Sequence, residues 1–194
     1  AILSRGLGDV YKRQPLFHCN GWGHAWTMTA LAGKIVCCRQ VSAMAIYDAI
    51  NTQKVTHLGG APIILGMIIN AESSDRKEFS HTVEIMTAGA PPPAAILEGI
   101  EKLGFNVTHV YGLTETYGHA VMCFWQDQWD DTDFTQRAII KARQGVAMTA
   151  TESTRVVDLN TREDVPKDGK TIGEIVLQGN TIMKGYLKNK EACL

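Results

Sequence analysis

The sequence predicts an α/β fold in which a doubly wound, mostly parallel sheet is followed by a β-rich segment. Between residues 34 and 110, short β-branched runs, turns and helical patterns alternate four times. This alternation is typical of parallel sheets that are built with right-handed crossovers. After Gly145 the chain is β-rich, with predicted strands at 154–159 and 174–177 and a turn-rich, charged connector between them.

Composition excludes several classes of function. The 194 residues suffice for one full domain with a sizeable core. Hydrophobic residues make up 45% of the chain and charged residues 20%, which is ordinary for a soluble globular protein. The formal net charge of −1 offers no electrostatic footprint for nucleic acid or an anionic membrane. We therefore expect no nucleic-acid partner. Because no apolar run approaches the ~20 residues that span a bilayer, we also expect no membrane span.

Cysteine usage predicts the compartment. The number of cysteines is odd, no pair has CxxC spacing, and no signal peptide is recognisable. We therefore expect a reduced, cytoplasmic location. The five cysteines are Cys19, Cys37, Cys38, Cys123 and Cys193.

The first residues are interpreted as artificial. Residues 4–14 can be back-translated into a transposon-end adaptor that is used in sequencing libraries, and an eleven-residue agreement does not arise readily by chance. We therefore treat 1–14 as a translated adaptor scar and exclude it from fold reasoning. Residues 193–194 fit the opposite-strand adaptor. The native part then comprises an α/β portion at 15–125 and a helix plus β-rich portion of the same large domain at 126–192.

Start and stop signals set the predicted elements. Asn20 is a candidate cap for a helix that runs through Ala32 and is ended by Gly33, and residues 34–38 are predicted to form a buried strand. The later elements are a helix capped by Ser42, a strand at 55–58, a helix at 63–71 with Pro62 in its first turn, a strand at 83–87, a helix at 94–103 ended by Gly104, a strand at 105–110 and an amphipathic helix at 134–143.

The stretch after the strand at 105–110 is a candidate nucleotide site, because ligands bind beyond the carboxyl ends of strands in open α/β sheets. Tyr111 could stack on a base, Gly112 would end the strand and let backbone approach a phosphate, Thr114 could hydrogen-bond a phosphate oxygen, and Glu115 could hold Mg²⁺. The alternative is a strand followed by a helix N-terminus that Thr114 caps. Spacing alone favours that alternative.

Two further patterns have alternative interpretations. His18, Cys19 and His24 contain metal-ligating side chains, but without a second pair at ligand spacing a core or substrate-pocket histidine is favoured over zinc. Asp168-Gly169-Lys170-Thr171 contains the end of a phosphate-loop motif, yet no glycine stands at position 164. We therefore interpret it as a charged hairpin turn.

Four stretches together resemble the adenylate-forming superfamily of AMP-binding acyl-CoA synthetases, and most closely its fatty acyl-CoA ligases. They occur in the family's order, and the resemblance covers nearly all of 15–192. It implies that the chain is an internal piece of the large N-terminal domain, and it makes the nucleotide interpretation of Tyr111 to Glu115 the favoured one. The four stretches are Pro15 to Trp22, Thr87 to Pro91, Tyr111 to Glu115, and Gly173 to Leu187.

The resemblance implies an ATP-dependent ligase. A carboxylic acid reacts with ATP to give an acyl-adenylate and pyrophosphate, and coenzyme A then takes the acyl group. Mg²⁺ is the implied metal, fatty acid metabolism the implied process, and a homodimer is one expected state of the full-length protein. An aliphatic short-, medium- or long-chain acid is the expected substrate. The alternatives are an aryl-CoA ligase or another adenylating enzyme, such as a carrier-protein loading domain, and a non-catalytic α/β binding module.

Residue roles also follow from the resemblance. Thr114, Glu115 and His18 are the expected catalytic residues, with Glu115 binding Mg²⁺. His18, Trp22 and Gly89 are expected at the acyl substrate, where Trp22 would gate the acyl tunnel; its alternative role is a core aromatic. The expected ATP and AMP contacts are Gly89, Ala90, Pro91, Tyr111, Gly112 and Thr114.

The chain departs from the family mainly by omission. The family's Gly/Ser/Thr-rich phosphate loop, its ribose-binding aspartate and its mobile C-terminal domain with the catalytic lysine are all missing. Ala192-Cys193 also replaces the alanine-threonine that is common after the Gly185-Tyr186-Leu187 run. We therefore expect that these 194 residues alone have no ligase activity.

Overall fold

The computed structural model describes residues 2–4, 18–38, 40–189 and 191–193. Within these ranges the helices are α1 (Cys19–Ala30), α2 (Ala43–Gln53), α3 (Pro62–Ile69), α4 (Ala94–Lys102) and α5 (Phe134–Lys141). The strands are β1 (Ile2–Ser4), β2 (Ile35–Val36), β3 (His57–Gly60), β4 (Val83–Thr87), β5 (Phe105–Leu113), β6 (Gly118–Met122), β7 (Val146–Ala147), β8 (Thr151–Val157) and β9 (Glu174–Gly179).

Seven strands form one sheet in the order β2-β1-β3-β4-β5-β6-β7. The pairs from β2 to β5 are parallel, whereas β6 and β7 are antiparallel to their neighbours. The register aligns Gly60 with Thr87 and Thr87 with His109, so β3 and β4 end at one edge of the sheet. The predicted α/β class with a mostly parallel sheet is therefore confirmed.

The core lies between the sheet and helices α2, α3 and α4. Strand residues alternate between the two faces of a sheet, and Leu58, Ile85 and Val107 point into this core. They pack against side chains that are almost fully buried, each of which stabilises the fold by about 1.5–3 kcal/mol. The largest of these on the helices are Ile46, Ile50, Leu65, Ile68, Leu97 and Ile100.

Several local signals act as the sequence predicts. The Ser42 hydroxyl accepts a hydrogen bond from the Ala45 amide at 3.1 Å and caps α2. Pro62 occupies the first turn of α3, where its missing N–H costs nothing. Gly104 follows α4 with φ +90°, a conformation that favours glycine. The predicted strand at 83–87 matches β4.

Helix α1 and strand β2 differ from their predictions. The helix begins at Cys19 with His18 at the N-cap and ends at Ala30, so Asn20 is not the cap and Gly33 lies beyond the end. The predicted buried strand at 34–38 shortens to two residues. Ile35 is 40% exposed, and β2 is an edge strand of the sheet that the described residues form, so the burial prediction is wrong for this strand.

The sequence suggested that Gly112 ends the strand, but the structure shows that it does not. The strand continues through Leu113, and its register against β6 shifts between Tyr111 and Gly112. The short strand β1, Ile2–Ser4, also pairs between β2 and β3, within the segment 1–14 that we interpret as an adaptor scar. No strand was therefore predicted there.

The β-rich end forms the predicted hairpin, in which β8 and β9 pair antiparallel. In the connector, a carboxylate oxygen of Asp168 accepts hydrogen bonds from the amides of Lys170 and Thr171, each at 2.8 Å. This is the geometry of a side-chain-stabilised turn, as the sequence predicts. Of the helices that the structure describes, none has the length and apolar character needed to cross a bilayer.

Candidate active site

A cleft of about 310 Å³ lies beside the carboxyl ends of the parallel strands. Ligands of open α/β sheets bind at this edge, because loops there can approach a ligand while the strands hold them rigidly. Its walls come from the ends of β3, β4 and β5, from the start of α1, and from β6. The lining residues include Gly60, Ala61, Ala88, Gly89, Leu113, Thr114, Glu115, His18, His24 and His119.

The structure brings five of the sequence-predicted site residues together at this cleft: His18, Gly89, Gly112, Thr114 and Glu115. Ala90, Pro91 and Tyr111 do not line it. Ala90 and Pro91 are exposed in the loop between β4 and α4, and Tyr111 is half-buried on β5.

Trp22 belongs to helix α1, but its side chain lies outside the described residues, as do Pro15 to Phe17. The gate and core interpretations of this indole both stay predictions.

Position 112 requires glycine because β6 pairs with β5 very closely there. A Cβ atom on it would lie 1.9 Å from the carbonyl oxygen of Gly118 in β6. Real Cβ atoms do not approach a backbone oxygen so closely, so any side chain there would push β6 away. The backbone of β6 therefore approaches Gly112 closely, and the expected approach of a phosphate to the Gly112 backbone stays a prediction.

Thr116 closes the turn that presents Thr114 and Glu115. Residues Thr114–Thr116 form a 3-10 helix, and the buried Thr116 hydroxyl accepts a hydrogen bond from the Leu113 amide at 2.9 Å. The same hydroxyl lies 3.0 Å from the Leu113 carbonyl oxygen and 2.5 Å from that of Gly118, to one of which it donates. The turn is followed by β6, so Thr114 does not cap an α-helix. Sequence reasoning gave Thr116 no role.

Glu115 is held at two points by the segment after β9. Its Oε1 accepts a hydrogen bond from the Tyr186 hydroxyl at 2.6 Å, and its backbone carbonyl accepts one from the Met183 amide at 2.8 Å. The hydroxyl of Tyr186, with a smaller contribution from the backbone amide of Glu115, holds the pKa of this carboxyl below its usual range. Glu115 is therefore ionised at neutral pH and suits a divalent cation.

Sequence spacing gave no sign of the contact between Tyr186 and Glu115, because the two residues are 71 positions apart. Tyr186 stood only within a stretch that carried the family resemblance. The available signal was the occurrence of both motifs in one chain.

Three histidines, His18, His24 and His119, line the cleft. Desolvation lowers the pKa of His119, and the nearby His24 lowers it further. His119 is thus neutral at pH 7 and offers hydrogen-bonding nitrogens rather than a charge. Among the residues that the structure describes, no group of three or more histidine, cysteine or acidic side chains is placed to hold a metal ion.

Comparison with known proteins matches this chain to one family. Residues 6–187 match the family model described as AMP-binding enzyme. A peroxisomal acetate/butyrate–CoA ligase of Arabidopsis thaliana is 48% identical over 187 residues, which are 95% of this chain and 33% of the relative. An acetate–CoA ligase of Humulus lupulus is 47% identical over 179 residues, 92% of this chain and 32% of the relative. The chain thus spans about a third of these relatives' length.

Solved structures have the same fold. The O-succinylbenzoate coenzyme A synthetase of Bacillus subtilis, in complex with ATP and magnesium ion, superposes with a TM-score of 0.72 at 21% identity, over 92% of this chain and 34% of that one. The N-terminal domain of FACL13 from Mycobacterium tuberculosis gives a TM-score of 0.73 at 21% identity, over 99% of this chain and 44% of that one. The described residues therefore have the fold of a part of these proteins, and the predicted fold, a fragment of an acyl-CoA synthetase N-terminal domain, is confirmed.

The predicted cytoplasmic location is wrong. The Arabidopsis acetate/butyrate–CoA ligase and a trans-cinnamate:CoA ligase of Petunia hybrida, 43% identical over 92% of this chain, are both named as peroxisomal. A cysteine pattern bears on whether disulfides form and does not by itself identify a compartment.

Proposed function

The chain belongs to the family of AMP-binding enzymes, and on that premise we propose that the full-length protein is an ATP-dependent acyl-CoA ligase. It joins a carboxylic acid to ATP, releases pyrophosphate, and passes the acyl group from the adenylate to coenzyme A with release of AMP. The observation that carries this proposal is the ionised Glu115, which lines the strand-end cleft beside Thr114 and is hydrogen-bonded by Tyr186.

The residues present fit Mg²⁺ as the metal. This ion takes oxygen ligands, and proteins commonly supply one or two carboxylates while substrate phosphates supply the rest. Glu115 provides such a carboxylate at the cleft. When bound, the metal neutralises phosphate charge during displacement of pyrophosphate.

The other residues orient the nucleotide and the acid. The Thr114 hydroxyl at the cleft is the proposed donor to a phosphate oxygen. The Gly89–Ala90–Pro91 loop and Tyr111 are the proposed adenine contacts, of which Gly89 lines the cleft. Gly89 can turn away from β4 there because its φ is +90°. His18, which lines the cleft, is the residue we place at the acid carboxylate. Gating of an acyl tunnel by Trp22 stays a prediction.

Chemistry in this site needs alignment more than proton transfer. The acid is already a carboxylate at neutral pH, so its oxygen attacks the α-phosphorus of ATP directly. A new P–O bond forms as the bond to pyrophosphate breaks, and no proton has to be removed from the nucleophile. The chain contributes by positioning the two reactants and by stabilising the phosphate charge that shifts toward the leaving group.

The substrate we propose is an aliphatic acid of short chain. The relatives include ligases named for acetate, butyrate and 2-methylpropanoate. An aryl acid is the second candidate, because the Petunia relative is named for trans-cinnamate at 43% identity. The compartment we propose is the peroxisome, after the relatives that carry this word in their names. Assembly as a homodimer stays a prediction, which sedimentation of the full-length protein would check.

Acid-dependent exchange of pyrophosphate into ATP tests the proposed function. The full-length protein is assayed with acetate, butyrate, octanoate, palmitate and cinnamate, and thioester formation is then measured with coenzyme A. We expect exchange and thioester formation with acetate or butyrate. Exchange with cinnamate alone would favour the aryl ligase. A folded protein that exchanges with no acid would favour a non-catalytic binding module.

A further inference from the structure

Glu115 stands between two concave surfaces. On one side it lines the strand-end cleft, and on the other it lines a groove whose walls include Ile175 to Leu177 of β9 and Ile182 to Gly185. Tyr186 comes directly after Gly185 in the sequence, and its hydroxyl donates a hydrogen bond to Oε1 of Glu115 at 2.6 Å. The Tyr186 hydroxyl therefore contacts the Glu115 carboxylate from the side of the β8–β9 hairpin, while Glu115 also lines the cleft.

We propose that Tyr186 is a positioning residue: it holds one oxygen of Glu115 so that the other is presented to the metal–nucleotide complex in the cleft. The inference rests on the proposed function, in which Glu115 is the carboxylate that binds Mg²⁺. Tyr186 itself touches neither metal nor nucleotide in this account.

A neutral hydroxyl suits this task better than a cation does. An ammonium or guanidinium partner would neutralise the carboxylate and compete with the metal for it. A phenolic hydroxyl fixes the direction of the carboxylate and leaves its full negative charge in place. The hydrogen bond also restricts the glutamate rotamers before a ligand arrives, so less side-chain entropy is lost when the ligand binds.

The position of Tyr186 is itself fixed by the hairpin. The Met183 amide donates to the Glu115 carbonyl at 2.8 Å, and the Ile182 amide donates to the Gly179 carbonyl at the end of β9 at 3.2 Å. Gly185, with φ +146°, allows the turn that brings Tyr186 back toward Glu115. The Tyr186 hydroxyl and the Met183 amide thereby connect the segment after β9 to Glu115 at the cleft.

Calorimetric titration of the full-length protein tests this inference without any turnover. Mn²⁺·ATP and metal-free ATP in chelator are each titrated into the wild type and into Tyr186→Phe, which keeps the ring and removes only the hydroxyl. We expect the Kd for Mn²⁺·ATP to rise about threefold to tenfold, as loss of a hydrogen bond to a charged group at a partly exposed position would give. The Kd for metal-free ATP should change by less than about twofold.

A double-mutant cycle separates positioning from a general structural effect. In a Glu115→Gln background, Tyr186→Phe should have no further effect on Mn²⁺·ATP binding, since the carboxylate that it orients is gone. Tyr47→Phe, which removes a buried hydroxyl on α2, is the matched control and should bind as the wild type does. In exchange assays Tyr186→Phe should need about threefold to tenfold more Mg²⁺, with its saturating rate within about twofold of wild type.

Three outcomes would overturn the inference: unchanged Mn²⁺·ATP binding in Tyr186→Phe, tighter binding, or an equal effect with and without Glu115. Its failure is distinguishable from failure of the proposed function. A wild type that exchanges with no acid, but whose metal-dependent nucleotide binding weakens in Tyr186→Phe, would contradict the ligase proposal and support the role of Tyr186.

Discussion

Two glutamates of this chain lie in contrasting surroundings: Glu101 is buried between helices, and Glu115 lines the cleft. Glu101 on α4 and Lys141 on α5 form an ion pair in which each side chain is only 4% exposed. Lys141 also donates to Oδ1 of Asn106 at 2.7 Å, so its charge is fully engaged. Glu115 instead accepts from the neutral Tyr186, and within the described ranges it has no ion-pair partner. The buried Glu101 is thus neutralised by a cation, whereas Glu115 keeps its charge beside a neutral hydroxyl and lines the cleft.

The surroundings of the two carboxylates extend this difference. Beside the Glu101 pair, the Arg137 guanidinium lies 4.5 Å and the Lys141 ammonium 5.1 Å from the centroid of the Trp125 ring. Cations over aromatic faces and in buried pairs hold α4, α5 and β5 together. Around Glu115 the nearest supports are a hydroxyl and backbone amides, which keep the site negative.

The largest expected effect on stability is at the buried pair. Lys141→Met leaves Glu101 buried without its main partner, and we expect the free energy of unfolding to fall by about 3–5 kcal/mol. Urea unfolding of the full-length protein measures this. Lys102→Met, which removes the exposed pair with Glu98 on the same helix α4, is the control and should change little. Equal effects of the two substitutions would mean that burial does not distinguish these pairs.

A smaller effect is expected in the turn that precedes Glu115. Thr116→Val keeps the shape of the side chain but leaves the Leu113 amide without its acceptor, which should cost about 1–3 kcal/mol of unfolding free energy. Thr114→Val, on the exposed side of the same turn, should leave stability within about 0.5 kcal/mol and slow pyrophosphate exchange. The reverse pattern, with Thr114 stabilising and Thr116 dispensable, would contradict the assignment of these hydroxyls.

A pH-dependent effect is expected at His109, which is buried on β5. Its Nδ1 lies 3.0 Å from the Arg143 carbonyl oxygen, to which the neutral ring donates. Burial lowers the pKa of His109, so the unfolded chain binds a proton more readily than the folded chain does. Its contribution to stability is therefore complete above the unfolded pKa of about 6.5 and is lost as pH falls below it.

The measurement for His109 is the pH slope of unfolding free energy between pH 7.5 and 5.5. His109→Gln can still donate to the Arg143 carbonyl but does not titrate, so its slope should be flatter than that of the wild type. A slope as steep as that of the wild type would show that other groups account for the pH dependence.

Local signals predicted the parts of the fold that depend on neighbours in sequence. The Ser42 cap, Pro62 at the start of α3 and the strand at 83–87 all follow from patterns within a few residues. The exposure of Ile35 could not be predicted, because it depends on β2 lying at an edge of the sheet. Periodicity describes a strand's own faces but not its place among other strands.

The candidate site divides in the same way. Thr114 and Glu115 could be identified because they follow a recognisable strand, and both line the cleft. The need for glycine at position 112 becomes visible only when the position of Gly118 in β6 is known. The hydrogen-bond partner of Glu115 lies 71 residues away in the sequence. Such contacts arise only when the whole sheet and the hairpin are assembled, so spacing within one motif does not encode them.

The most direct test of the difference between the two glutamates is to measure pyrophosphate exchange and unfolding on Glu115→Gln and Glu101→Gln in the same full-length protein. We expect Glu115→Gln to lower acid-dependent exchange by about a hundredfold or more, as loss of a charge-stabilising group does, with unchanged unfolding. Glu101→Gln should instead destabilise the protein, while the molecules that remain folded keep their exchange rate. Full exchange in Glu115→Gln, or loss of exchange in folded Glu101→Gln, would show that Glu115 is not the charge-stabilising carboxylate of the cleft.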